Sequence, residues 1–153
     1  MKTAKLRQYG SPHNFRIEET TKPTPRDGEV LVRIHASSVN DWDWCITQGS
    51  PFYIRLLCGL FRPKISTPGV DISGVIEAVG NKVTKFKLGD AVYGDLSECG
   101  FGGFAEYVCV PQTSLSRKPD SLDFIQTAAI PHAATLALQG LRDEGALKPE
   151  SKI

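Results

Sequence analysis

The sequence holds little of what marks the special classes of protein. No apolar run approaches the roughly 18 residues that a membrane-spanning helix needs. The opening "MKTAKLRQYG" carries charge but no apolar stretch, so it does not read as a secretory leader, and a cytoplasmic location is expected. Charge of one sign is not in excess. The net charge is +1, which gives no electrostatic footprint for nucleic acid or for an anionic membrane surface. Cysteine is sparse and scattered: Cys45, Cys58, Cys99 and Cys109 form no CxxC pair. That argues against a disulfide framework and against a cysteine-built zinc site, and leaves four plain thiols. The phosphate-binding pattern GxGxxG is also missing. Its nearest approach, "GFGG" at Gly100–Gly103, leads toward a strand, so it lacks the helix N-terminus that would hold a phosphate and reads as a turn.

What is present is ordinary in bulk. At 153 residues the chain makes one domain, or one domain with part of another. "AKLRQYG" and "NFRIEET" alternate like short strands around the turn-rich "GSPH". "EVLVRIHASSV" places Val30, Val32 and Ile34 on one face and Leu31, Arg33 and His35 on the other. Asn40 can cap a short helix, with Asp43 three residues later in the first turn. "PFYIRLLCGLFRPK" reads as a loop or short helix covering something, broken by Gly59 and ended by Pro63. "GVDISGVIEAVG", "TKFKLGDAVYG" and "GFGGFAEYVCVP" return to strand character. After "SLSRKPDSL" the composition shifts to Ala and Leu. Ser121 or Asp120 is the expected cap of a first helix, Pro131 restarts a second, and Gly145 stops it. "ALKPESKI" then turns toward an apolar residue. The pattern predicts a mainly β fold with a helical C-terminal tail.

Three segments, "PGVDISGVIEAVGNKVTKFKLGDAVYG", "GFGGFAEYVCVP" and "AAIPHAATLAL", together resemble the medium-chain dehydrogenase/reductase superfamily. Within it the chain looks most like the zinc-lacking quinone oxidoreductase (zeta-crystallin-like) branch, along essentially its whole length. The resemblance implies a GroES-like, partly open β-barrel as the substrate-side domain over 1–122. It implies that 123–153 is a helical connection and the truncated start of a Rossmann cofactor domain, with "ALKPESKI" approaching that domain's first strand. The implied activity is NAD(P)H-dependent reduction of quinones or α,β-unsaturated carbonyls. NADPH would be bound mainly by residues beyond this stretch, leaving the fragment inactive alone. A non-catalytic GroES-like binding or assembly module is the alternative. The apolar tail could also pair with a second copy, giving a homodimer.

The same resemblance locates a metal site and empties it. Where zinc members carry a ligating His, this chain has Val70, and their neighbouring Glu is Asp71. The other two ligand positions fall on Asn40 and Pro131. Valine and proline side chains offer no lone pair, so no zinc is expected. Without a Lewis acid, alcohol oxidation is disfavoured, whereas a polarised double bond can accept hydride with help from hydrogen bonds and orientation.

Candidate site residues follow. Asn40 could donate to a substrate carbonyl, or cap its helix, or both. Asp43 could relay a proton, or serve the helix dipole. Tyr53 and Tyr93 are candidates to line a substrate cleft. The resemblance implies that Thr135 meets the nicotinamide carboxamide. Asp71 reads as a structural acid awaiting an arginine. His132, beside a ligand position, reads as a helix-start histidine that faces solvent or caps a polar pocket.

Overall fold

A computed structural model describes residues 1–145. The expected approach to a further strand within 146–153 lies outside the described residues. The first third follows the sequence pattern: β1 (Lys2–Leu6), β2 (Phe15–Glu19) and β3 (Glu29–Ser37) are followed by helices α1 (Asp41–Gln48) and α2 (Phe52–Cys58). "PFYIRLLC" is therefore helical. Then come β4 (Asp71–Val79), β5 (Ala91–Asp95), β6 (Tyr107–Pro111) and the two-residue β7 (Ser116–Arg117). Helices α3 (Phe124–Ala128) and α4 (Pro131–Leu138) end in a π-helical turn, Gln139–Glu144.

Strands β1 and β2 pair as an antiparallel ribbon, and five strands form an antiparallel sheet in the order β6-β3-β4-β5-β7. No β6–β7 pairing closes that sheet among the described residues, so it is an open sheet where the resemblance implies a partly open barrel. The two edges explain this. β7 is too short to extend the ladder, and β6 ends at Pro111, which has no N–H to donate.

The alternation expected in β3 holds: Val30 and Val32 are buried in the main core with Ile72, Ile76, Val92, Val110 and Leu115, and Ile34 packs against it. A smaller cluster of Leu6, Ile46, Ile54 and Cys58 ties β1 to α1 and α2. Gly74 is needed at the centre of the sheet, because a Cβ there would stand 2.1 Å from the Arg33 carbonyl oxygen of the neighbouring strand.

The cap of α3 is not Ser121 or Asp120 but Asp123. Its carboxylate accepts from the Gln126 N–H at 2.7 Å, and the Gln126 side chain accepts from the Asp123 N–H at 3.1 Å. "DFIQ" thus forms a reciprocal capping box, which outcompetes the earlier candidates because both orphan donors are met at once. Pro131 does open α4 in its first turn. Helix α3 lies on the sheet, where the Phe124 ring stacks on His35 at 4.4 Å and its carbonyl accepts from Ser73 Oγ at 2.7 Å.

Candidate functional site

The C-terminal end of β3, the start of β4 and the end of β5 meet the first turn of α4. Asp71 lies at that meeting point and is fully buried. Its Oδ1 accepts from the His132 backbone N–H at 3.0 Å. Its Oδ2 accepts from Ser38 Oγ at 3.0 Å and from Asn40 Nδ2 at 3.1 Å. A carboxylate can only accept, so the Asn40 amide must turn its NH2 group toward it. Burial pushes the Asp71 carboxyl above its ordinary range; the bonds from Ser38, Asn40 and His132 pull the other way, and the nearby Asp95 charge adds to the rise. The arginine expected to pair with Asp71 is not there among the described residues: hydroxyl, amide and backbone donors satisfy it instead.

Asn40 precedes α1, and its backbone N–H donates to Asp43 Oδ2 at 3.0 Å. The other Asp43 oxygen accepts from the Gly69 N–H at 2.8 Å. Both carboxylate oxygens are thus engaged by backbone donors, and Asp43 is buried. Desolvation raises its pKa, with the N–H groups of Asn40 and Gly69 opposing. This geometry makes Asp43 a clamp between α1 and the loop before β4. Gly69 suits the clamp because it holds φ +106° and a Cβ would come within 2.4 Å of the Phe104 nitrogen.

His132 is buried rather than facing solvent. Its Nδ1 stands 2.8 Å from Asp95 Oδ2, and the Ser97 N–H donates to Asp95 Oδ1 at 2.7 Å. Burial pushes the Asp95 carboxyl up, but the Ser97 and His132 bonds outweigh it and hold the group below the ordinary range. Asp71 and Asp95 face each other across the β4–β5 ladder, so the two acids hold one histidine, by its backbone and by its ring. Sequence reasoning missed Asp95 and Ser38. The β4–β5 register is the one signal that could have found Asp95, since 37 residues of sequence separate it from His132.

Beside this group a cleft of about 800 Å³ opens between Trp42 of α1, Leu57 of α2, the 95–101 loop, and His132, Thr135 and Leu136 of α4. Thr135 is thus one of the residues lining the cleft. Tyr53 is 56% exposed on α2 and Tyr93 lies in β5 opposite Ser73; neither is among the residues lining the cleft. The structure brings Asn40, Asp71 and His132 together, and His132 lines the cleft with Thr135; Asn40, Asp43 and Asp71 are not among the lining residues.

The residues at the metal position do not fit a zinc ion. Val70 is a fully buried aliphatic side chain and Pro131 has no lone pair on its side chain, which leaves the Asn40 amide oxygen alone of the three positions where zinc needs three protein ligands. Among the described residues no group of three or more His, Cys, Asp or Glu side chains could hold a metal. Nor is any described helix long and apolar enough to cross a membrane.

Comparison with known proteins defines the class. The alcohol dehydrogenase GroES-like domain profile matches residues 26–120. The chain belongs to this family, as an N-terminal part of the medium-chain dehydrogenase/reductase superfamily. Among particular relatives, it is 36% identical over 132 residues to human quinone oxidoreductase, covering 85% of this chain and 37% of that protein. It is 34% identical over 156 residues to tomato 2-methylene-furan-3-one reductase, covering 95% of this chain and 38% of that one. The solved quinone oxidoreductase of Coxiella burnetii superposes with a TM-score of 0.85 at 31% identity, covering 97% of this chain and 46% of its own. The chain thus spans less than half the length of the relatives it matches.

Proposed function

We propose that this chain is the substrate-side domain of a zinc-independent, NAD(P)H-dependent oxidoreductase that reduces quinones or α,β-unsaturated carbonyls. Residues 1–122 form that domain, and 123–153 lead toward a cofactor domain. The observation that carries the reading is the hydrogen-bonded group at the metal position. Asn40 and the His132 backbone are both fastened to Asp71, beside a cleft that also presents Thr135. An acceptor with a conjugated carbonyl needs no metal to ionise it. It needs orientation and dipoles directed at the oxygen where charge develops. A bound nicotinamide dinucleotide supplies the hydride.

In this reading Asn40 holds Asp71, and through it the start of α4, in position behind the cleft, Asp43 keeps Asn40 in place, and Thr135 meets the nicotinamide. Trp42 and Leu57 give a flat acceptor an apolar wall. Tyr53 and Tyr93 stand outside the cleft lining and take no part in this reading. The names of the human and tomato relatives fit this acceptor class, since a 2-methylene-furan-3-one is itself an enone. Exposed Leu136 and Leu138 on α4 leave an apolar surface for the cofactor domain to cover, or a second copy in a homodimer.

The test is NADPH oxidation by the product of the complete coding region, with duroquinone and cyclohex-2-enone as acceptors. Turnover that survives a zinc chelator supports the reading. No turnover with either acceptor, or turnover that depends on added zinc, contradicts it. The 153-residue chain alone is expected to give no saturable NADPH fluorescence change.

A further inference from the structure

We propose that His132, held by Asp95, is the residue that exchanges a proton with the substrate oxygen in the cleft. This rests on the reading of the cleft as an acceptor site and adds a residue to it. Asp95 can only accept, so the ring proton between the two groups sits on His132 Nδ1. That assigns the tautomer: in the neutral ring, Nε2 carries a lone pair. Every fully buried side-chain nitrogen or oxygen among the described residues has a hydrogen-bond partner. His132 Nε2 has no such partner among them, so it reaches open space, and His132 is one of the residues that line the cleft. The ring cannot swing away, because Asp71 holds its backbone N–H and Asp95 its Nδ1. Such a pairing fixes the orientation of an imidazole.

The step balances for an enone. Hydride reaches the β-carbon, the C=C pair moves to form a new C=C toward the carbonyl carbon, and the carbonyl pair becomes the oxygen lone pair of an enolate. The protonated ring gives its Nε2 proton to that oxygen, leaving an enol and a neutral His132, which regains a proton from water. In reverse, the neutral Nε2 accepts from a product hydroxyl. The acids around the ring are Asp95 at Nδ1, Asp71 at the backbone, buried Asp43 nearby, and Glu98 on the cleft wall.

The product side gives a test that does not depend on turnover. The probe is tetramethylhydroquinone, added under argon to the ¹⁵N-labelled chain at neutral pH, and histidine ring nitrogens are read by long-range ¹H–¹⁵N NMR. The expected result is a protonated Nδ1 and a bare Nε2 at His132, with the Nε2 signal shifting saturably as probe binds. His132→Gln should weaken probe binding about fivefold, the worth of one hydrogen bond. Asp95→Asn, which leaves the ring present, should disturb the tautomer and reduce the Nε2 shift. If Thr135 and Leu136 signals move while His132 Nε2 does not, the proton-exchange role is overturned and the acceptor cleft stands. If no cleft signal moves, both are overturned. A His132 protonated at Nε2 alone also overturns the role.

Discussion

The two faces of β4 are built from the same nine residues and do opposite jobs. One face sends Ile72 and Ile76 into the main core, where nothing but apolar contact is required. The other face buries Asp71 and Ser73, each tied to a helix: Asp71 to the start of α4, Ser73 to the Phe124 carbonyl at the start of α3. Apolar burial is tolerant of partner and stabilises in proportion to area. A buried acid stabilises only if each donor arrives in place, and so it specifies position. The difference teaches what the polar face contributes: there the fold fixes the positions of α3 and α4, and with α4 the His132 side of the cleft.

The largest expected effect sharpens the first half of that contrast. Ile76→Ala should cost about 3 kcal/mol in urea unfolding, from lost transfer and the cavity left behind, and should leave the His132 ring signals of the folded chain in place. An equal disturbance of those signals would mean that the faces are not independent. Asp71→Asn should cost about 2 kcal/mol at neutral pH, because one carbonyl oxygen cannot serve Ser38, Asn40 and the His132 N–H together. Unlike the core change, it should shift both the Asn40 and His132 signals.

pH separates the two faces further. Burial raises the folded Asp71 carboxyl above its ordinary 3.8, so the folded chain holds that proton more tightly than the unfolded chain. The stability this contributes is complete below the unfolded value and is lost as pH rises through the folded one. The asparagine variant has no such group. The wild-type advantage over Asp71→Asn should therefore be greater in acid than at neutral pH, whereas the Ile76→Ala difference should stay flat. A wild-type advantage that grows toward neutral pH would contradict the assignment.

The smallest expected effect concerns burial without donors. Cys109 on edge strand β6 is pushed up to about 11, chiefly by burial and secondarily by the Glu29 charge. Asp95 is also partly buried, yet its donors hold it down. Iodoacetamide near pH 8 should therefore leave Cys109 almost untouched, with about a thousandth of it as thiolate. Rapid labelling, read by peptide mass, would mean that this edge is open to solvent.

Much of the β framework was legible because alternation survives in a single strand: Val30, Val32 and Ile34 announce a face without any knowledge of neighbours. Pro131 announced a helix start for the same local reason. That Val70 and Pro131 bring no metal-ligating side chain was legible from residue type alone. What was not legible depended on pairing at a distance. Asp71 looked as though it awaited an arginine, because a buried acid without a cation is unusual. Its actual donors come from Ser38, Asn40 and His132, which only the β3–β4 register and the α4 docking bring together. The same holds for Asp95. The barrel expectation missed because edge-strand length and Pro111 decide closure.

Zinc content after exhaustive dialysis tests the central claim most directly, because hydrogen bonds are held to occupy the place of a metal. The account predicts that the purified chain, offered zinc and then dialysed, retains well below one ion per chain, with the Asn40 and His132 signals unchanged. Retention of about one zinc per chain, abolished by Asn40→Ala, would contradict it.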